Sequence, residues 1–188
     1  GSNDVYSNGA FSGIFDGNGY SITGMRIAIT SVPSGTGTVY AGLFANVSGT
    51  VKNLTVTGTI SCNNITAYIG SIAGYLTGKL EYCSNEVPIT GSAHYAGGLV
   101  GYSSKATIDN CKNLANISVS LRSYATKPYV GGISGYLSSS NVSNTFNNGN
   151  VSAKNSDSSN SVHSSASGIG YSDSSVFNNC YNTADISS

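Results

Sequence analysis

The chain has 188 residues, enough for one domain with a real interior and long for two. Hydrophobic residues make up 39% of it and charged residues only 9%, with eight basic side chains against eight acidic ones, so no basic field exists to hold a phosphate backbone, which argues against nucleic acid as a partner. No apolar run approaches the roughly 18 residues of a membrane span and no signal-peptide pattern is present, so membrane insertion is not expected; solubility falls to Ser, Thr, Asn and Gly, as in repetitive extracellular β proteins.

Gly1-Ser2 reads as an expression remnant, which leaves residues 3–188 as a single domain. An opening segment spans residues 3–39. Within it, Asp16-Gly17-Asn18-Gly19 has the composition of a hairpin or coil turn, and it lacks the lysine and following helix of a phosphate loop. From residue 40 to 188 the chain repeats itself. "YAGLFA" begins at Tyr40, "YIGSIAGY" at Tyr68, "YAGGLVGY" at Tyr95 and "YVGGISGY" at Tyr129, and a degraded "ASGIGY" ends at Tyr171. Each is followed by a second element, which starts at Val51, Leu80, Ile108, Val142 and Phe177. These five second elements align without a gap. Their fourth position reads Leu54, Cys83, Cys111, Thr145, Cys180, their sixth Val56, Asn85, Asn113, Asn147, Asn182, and their tenth Ile60, Ile89, Ile117, Val151, Ile186.

Positions four, six, eight and ten share a parity, so an extended chain places them on one face. Neighbours such as Lys112, Lys52 at position two and Glu86 at position seven do not fit one strict alternation throughout, which predicts a corner inside the element. Glycine and β-branched residues recur throughout and no window has helical spacing, so short strands and turns are expected and helices are not. A repeat of about 28 residues whose strands cannot bury a face alone is what a β-solenoid needs. The expected fold is therefore all-β, a parallel β-helix or β-solenoid of about five to six coils. Like positions then stack into columns: isoleucines inside, asparagines bonded amide to amide, and tyrosines at the two ends of the "YAGGLVGY" segment, with Leu99, Ile72, Ile133 and Ile169 pointing inward.

The repeated "GGLVGY" and "GGISGY", with "NCKNLANIS" and "NCYNTADIS", resemble the GLUG-motif repeats of large bacterial surface proteins, among them adhesins and the stalk regions of IgA-cleaving proteases. The stretch from Phe11 to Ile27 resembles the segment that often opens such arrays. The resemblance implies an extracellular right-handed β-helix or related solenoid, part of a larger secreted or wall-attached protein, and it implies no particular ligand. The sequence departs from the pattern at Leu43, where a glycine is usual, at Thr145 in the cysteine column, and in the shortened last copy, so the first and last coils are expected to be atypical.

Three constellations are candidates for chemistry. Cys83, Cys111 and Cys180 share one repeat position, and parallel stacked side chains rarely reach disulfide geometry, so buried free thiols acting as small hydrophobes are expected, with Cys62 apart in a junction. The cysteines lack CxxC spacing and His94 and His163 lie in separate junctions, so no metal or other cofactor is expected. Glu81 and Asp109 fall at the second position of adjacent copies, with Lys52 beside Glu81. They form a weak candidate acid/base pair of a carbohydrate-active β-helix enzyme, set against a solvated surface column with a Lys52–Glu81 contact, which is the favoured reading. Finally, the junctions before Tyr40, from Val119 to Pro128 and from Ala153 to Ser164, are long and emerge along one edge, where insertions often make a binding face. Arg122, Tyr124, Lys127 and His163 are the candidate ligand-binding residues there, set against merely tolerated polar loops, which is the favoured reading. The favoured function is a non-enzymatic surface module, a spacer or adhesin segment whose partners would be a host glycan, a host surface protein or neighbouring domains.

Overall fold

The computed structural model describes residues 9–30, 37–121, 127–156 and 163–188, and Gly1-Ser2, Arg122 and Tyr124 lie outside them. None of the described residues is helical. The strands form three parallel sheets of a β-helix or solenoid. In the first, Val39–Ala41, Ala67–Ile69, Tyr95–Gly97, Tyr129–Gly131 and Ser165–Ser167 lie side by side in chain order. The second stacks Phe44–Val47, Ala73–Leu76, Val100–Ser104, Ser134–Ser138 and Tyr171–Asp173 in the same way. The third has 14 strands and is seamed by the long Thr50–Asn63, which pairs with Lys79–Glu86 along one half and Ile89–Ser92 along the other.

The register of this third sheet is that of the repeat alignment. Val51, Leu80, Ile108, Val142 and Phe177 are successive partners, and so are Val56, Asn85, Asn113, Asn147 and Asn182. Ile60, Ile89, Ile117, Val151 and Ile186 form the isoleucine column. Its first four members are buried, as are Ile72, Leu99 and Ile133, while Ile169 is partly buried against the same core. Burying one such side chain is worth about 1.5–3 kcal/mol, and each stacked strand adds more, which is how strands too short to stand alone become stable together.

The corner predicted inside the second element has a definite cause. Its third residue, Asn53, Tyr82, Asn110, Asn144 or Asn179, has a left-handed backbone with φ of 50–53°. This one residue flips the alternation, so that positions one and four both point inward. The residue after it closes the corner by donating to the carbonyl on the other side: Cys83 to Glu81 (3.3 Å), Cys111 to Asp109 (3.2 Å), Thr145 to Ser143 (2.7 Å) and Cys180 to Asn178 (3.4 Å). The cysteine column is thus more than a row of small hydrophobes, and Thr145 departs from it in element but not in role. An equivalent clasp occurs earlier in the coil, where Ser140 bonds Ser138 across left-handed Ser139 and Ser175 bonds Asp173 across Ser174. The four cysteines are free, with Cys83 and Cys111 buried.

The asparagine column makes the next corner. Asn85 donates to Asn113, Asn113 to Asn147 and Asn147 to Asn182, each at 2.6 Å. Each also donates to the backbone carbonyl two residues on, at Val87, Ala115, Gly149 or Ala184. Asn85, Asn113 and Asn147 are buried, so the expected amide ladder is present and internal.

In the opening segment, Ile14–Asp16 and Ser21–Ile29 both pair parallel with Thr50–Asn63, so Asp16–Gly19 is a coil turn and not a hairpin. Asn18 and Gly19 have positive φ, and Asp16 accepts from the Asn18 backbone N–H at 2.9 Å. The junctions begin later than the sequence suggested. The strands Ile117–Leu121 and Val151–Asn155 run on past the repeat because Val119, Leu121 and Ala153 keep pointing into the core.

Candidate functional site

The segment "YAGGLVGY" makes the tight passage from the first sheet to the second. A side chain on Gly97 would collide with the carbonyl of Val100 and the backbone of Gly135, and one on Gly101 with the backbone of Tyr68 and Ile69. Only glycine lets the two sheets approach this closely. The tyrosines at either end of the segment are consequently brought together. One column runs Tyr40, Tyr68, Tyr95, Tyr129 and ends on Ser165; the other runs Tyr75, Tyr102, Tyr136, Tyr171 and begins on Asn46.

The two columns meet ring to ring. Along the second, centroids are 5.5, 5.1 and 5.3 Å apart, with the Tyr102 and Tyr136 rings almost parallel at 2°. Across the columns, Tyr95 lies 5.2 Å from Tyr102, Tyr129 5.3 Å from Tyr136 and Tyr129 4.8 Å from Tyr171. The result is one continuous aromatic ladder, half-buried along most of its length and more open at Tyr171. Burial, and next the charges that neighbouring phenols would carry, push the Tyr95 hydroxyl far above its ordinary range; burial also raises Tyr40 and Tyr68. At neutral pH these groups are therefore protonated hydrogen-bond donors.

Two residues from the junctions join the ladder. His94 stacks on Tyr95 at 4.0 Å, and burial holds its imidazole below the usual value and hence uncharged. Lys127 places its Nζ 4.6 Å from the Tyr129 ring centroid and 5.2 Å from that of Tyr171, a cation–π contact with two rungs at once. The second sheet adds a polar column alongside, Ser104, Ser138 and Asp173.

Of the four residues expected on the loop edge, Lys127 thus belongs to the ladder. His163 is exposed, two residues before Ser165, the rung partner of Tyr129, as Lys127 is two residues before Tyr129. Arg122 and Tyr124 fall outside the described residues. Sequence reasoning found the tyrosine columns but treated them as structural. The nearest signal in the sequence was a tyrosine at each end of one glycine-rich segment, which sets two columns side by side without fixing the distance between them.

The acidic pair is adjacent as expected, with Glu81 and Asp109 register partners. The Lys52–Glu81 contact is not what forms. Lys79 pairs with Glu81 at 2.8 Å, and Lys52 pairs with Asp16 of the opening turn at 3.3 Å. Lys79 precedes Glu81 by two residues on the same strand face, and the opening segment supplies an acid that the repeat alignment did not place. Asp109 accepts from the Ser143 hydroxyl and from the amides of Asn144 (3.0 Å) and Asn110 (2.8 Å). The Ser143 bond is foremost among the causes that hold its carboxyl below the ordinary carboxylate range. An aspartate so held is ionised at neutral pH and ill-suited to donate a proton as a general acid. Among the described residues no group of three or more His, Cys, Asp and Glu side chains could hold a metal ion.

Comparison with known proteins gives one family, described as the GLUG motif, matching residues 92–118. The matched stretch begins just before His94, carries Tyr95 and Tyr102, and ends beyond the clasp at Cys111, the ladder at Asn113 and the core position Ile117. The chain thus contains a GLUG motif. No curated protein and no solved structure matches it.

Proposed function

We propose that this chain is a non-enzymatic surface module of a bacterial secreted or wall-attached protein, a rigid spacer or adhesin segment whose binding face is the edge carrying the tyrosine ladder and the long junctions. The observation that carries this reading is how the polar side chains are used. Asn85, Asn113 and Asn147 bond to one another, Thr145 and the cysteines clasp corners, and Asp109 spends its carboxylate on three neighbours. Groups committed to the repeat in this way are positioned for the fold and not for a reaction. The resemblance to repeats of surface proteins supports the location, and the absence of a basic patch fits partners such as glycans or proteins.

The adjacency of Glu81 and Asp109 favours a second reading, a carbohydrate-active β-helix enzyme or its accessory domain. A screen for release of reducing ends or unsaturated sugars from pectin-like and host polysaccharides separates the two. No turnover is expected; turnover abolished by Glu81→Gln or Asp109→Asn would establish the enzyme instead. Antibody labelling of intact producing cells tests the location, and an exclusively intracellular signal would refute it.

A further inference from the structure

We infer that the tyrosine ladder is a track for an uncharged, extended, β-linked polysaccharide lying along the solenoid axis, one sugar ring to a rung. The inference rests on the surface-module reading and gives it a ligand class. It starts from spacing. Along the second tyrosine column successive centroids are 5.1–5.5 Å apart, close to the roughly 4.7–4.9 Å between paired strands. That separation exceeds the roughly 3.5–4.0 Å at which carbon atoms touch, so near-parallel Tyr102 and Tyr136 rings in contact are offset like stairs, and both side chains are only partly buried.

A bound polymer gains from every rung only if its own repeat keeps step. An extended peptide repeats its side-chain direction every two residues, about 6.4–6.8 Å, and falls out of phase within a rung or two, while polyproline II repeats every three, about 9.3 Å, and so meets only every second rung. Strand addition is also closed to a peptide here, because the backbone groups of these sheets pair with the rungs above and below. An extended β-1,4-linked pyranose chain advances by close to one rung per ring, presents apolar C–H faces to aromatic surfaces, and carries hydroxyls to either side.

Those hydroxyls meet suitable partners. Neutral His94 and Lys127 sit on the first column's side, and Ser104, Ser138 and Asp173 run beside the second. Lys127 and Asp173 are opposite charges at the same end of the ladder, so the track favours neither a polyanion nor a polycation.

The test is titration calorimetry and tyrosine-ring NMR on the whole chain. The probes are hexasaccharides of β-1,4-linked glucose and β-1,4-linked N-acetylglucosamine, with α-1,4-linked glucose hexasaccharide and a proline-rich decapeptide as contrasts. At least one β-linked hexasaccharide is expected to bind, to shift the Tyr102 and Tyr136 ring signals, and to bind about tenfold more tightly than its disaccharide. Tyr102→Leu with Tyr136→Leu should weaken binding about tenfold or more while Tyr102→Phe with Tyr136→Phe weakens it less, because stacking survives without the hydroxyl. If the leucine variant fails to fold, the ring shifts of the unaltered chain decide. No binding by either β-linked probe, equal binding of the α-linked chain, binding of the peptide alone, or shifts confined to other residues would each overturn the track. Those failures leave the surface-module reading standing, whereas release of reducing ends from a bound hexasaccharide would overturn that reading and keep the track.

Discussion

Tyr82 occupies a backbone conformation that suits an asparagine. Its φ of 52° repeats that of Asn53, Asn110, Asn144 and Asn179 in the same column, and its ring is mostly exposed. A left-handed backbone costs a residue with a Cβ about 1–2 kcal/mol, less for asparagine, whose short amide bonds locally. In the neighbouring rungs that amide does bond, Asn53 to Asp16 and Asn110 to Asp109. Tyr82→Asn is therefore expected to stabilise the domain by about 1 kcal/mol, read as a raised midpoint in urea; a lowered midpoint would show that the exposed ring has a role of its own. The clasp residue beside it allows a second comparison. Thr145 stands where Cys111 stands one rung earlier and makes the same bond. Cys111→Thr should change stability by less than about 1 kcal/mol, whereas Cys111→Val, equal in shape but without a donor, should cost about 1 kcal/mol more, both by chemical denaturation.

At the scale of the element, a coil is a series of short strands joined by corners, and each corner has its own chemistry. The left-handed clasp and the asparagine corner both bond between rungs but in different ways: the clasp joins a side chain to a neighbouring rung's backbone, as Thr145 Oγ1 accepts from the Cys111 N–H at 3.3 Å, while the asparagines join side chain to side chain. Asn113→Ala breaks two inter-rung bonds and strips the Ala115 backbone of two more, so it should cost about 3 kcal/mol or more, measured by denaturation, against less for the exposed Asn116. His94 belongs to this scale as well. Its folded-state pKa lies below the unfolded value of about 6.5 because burial penalises the cation, so the unfolded chain binds the extra proton first. Stability should fall as pH drops through about 6.5, and His94→Gln should flatten the melting-temperature profile between pH 7 and 5. Much of this level was legible beforehand: the gapless alignment put Asn85, Asn113 and Asn147 in register and placed a corner inside the second element. The corner's residue was not legible, since φ is no function of residue type and Tyr82 hides the asparagine pattern. Nor was the ladder as a surface, because contact between Tyr95 and Tyr102 depends on how tightly Gly97 and Gly101 let two sheets close, a distance that no residue spacing carries.

At the scale of the molecule, each rung is stabilised by its neighbours, so the same substitution should matter according to where in a column it falls. Ile117 and Ile186 share one column, yet Ile117 is wholly buried between Ile89 and Val151 while Ile186 is 40% exposed with a partner on one side. A carboxylate at 117 must lose its water inside an apolar stack with no cation to receive it, a cost of several kcal/mol that rivals the whole stability of an ordinary domain. It would also break the stack into two pieces, neither with a complete set of neighbours. Ile117→Asp should therefore abolish cooperative unfolding and strand signal in circular dichroism, whereas Ile186→Asp keeps its charge near water and should lower the melting temperature by only a few degrees. An Ile117→Asp chain that still melts cooperatively would mean that rungs fold independently and that the columns do not couple them. Equal loss from Ile186→Asp would mean that the last rung seals the stack, and that its partial exposure understates what it holds in place.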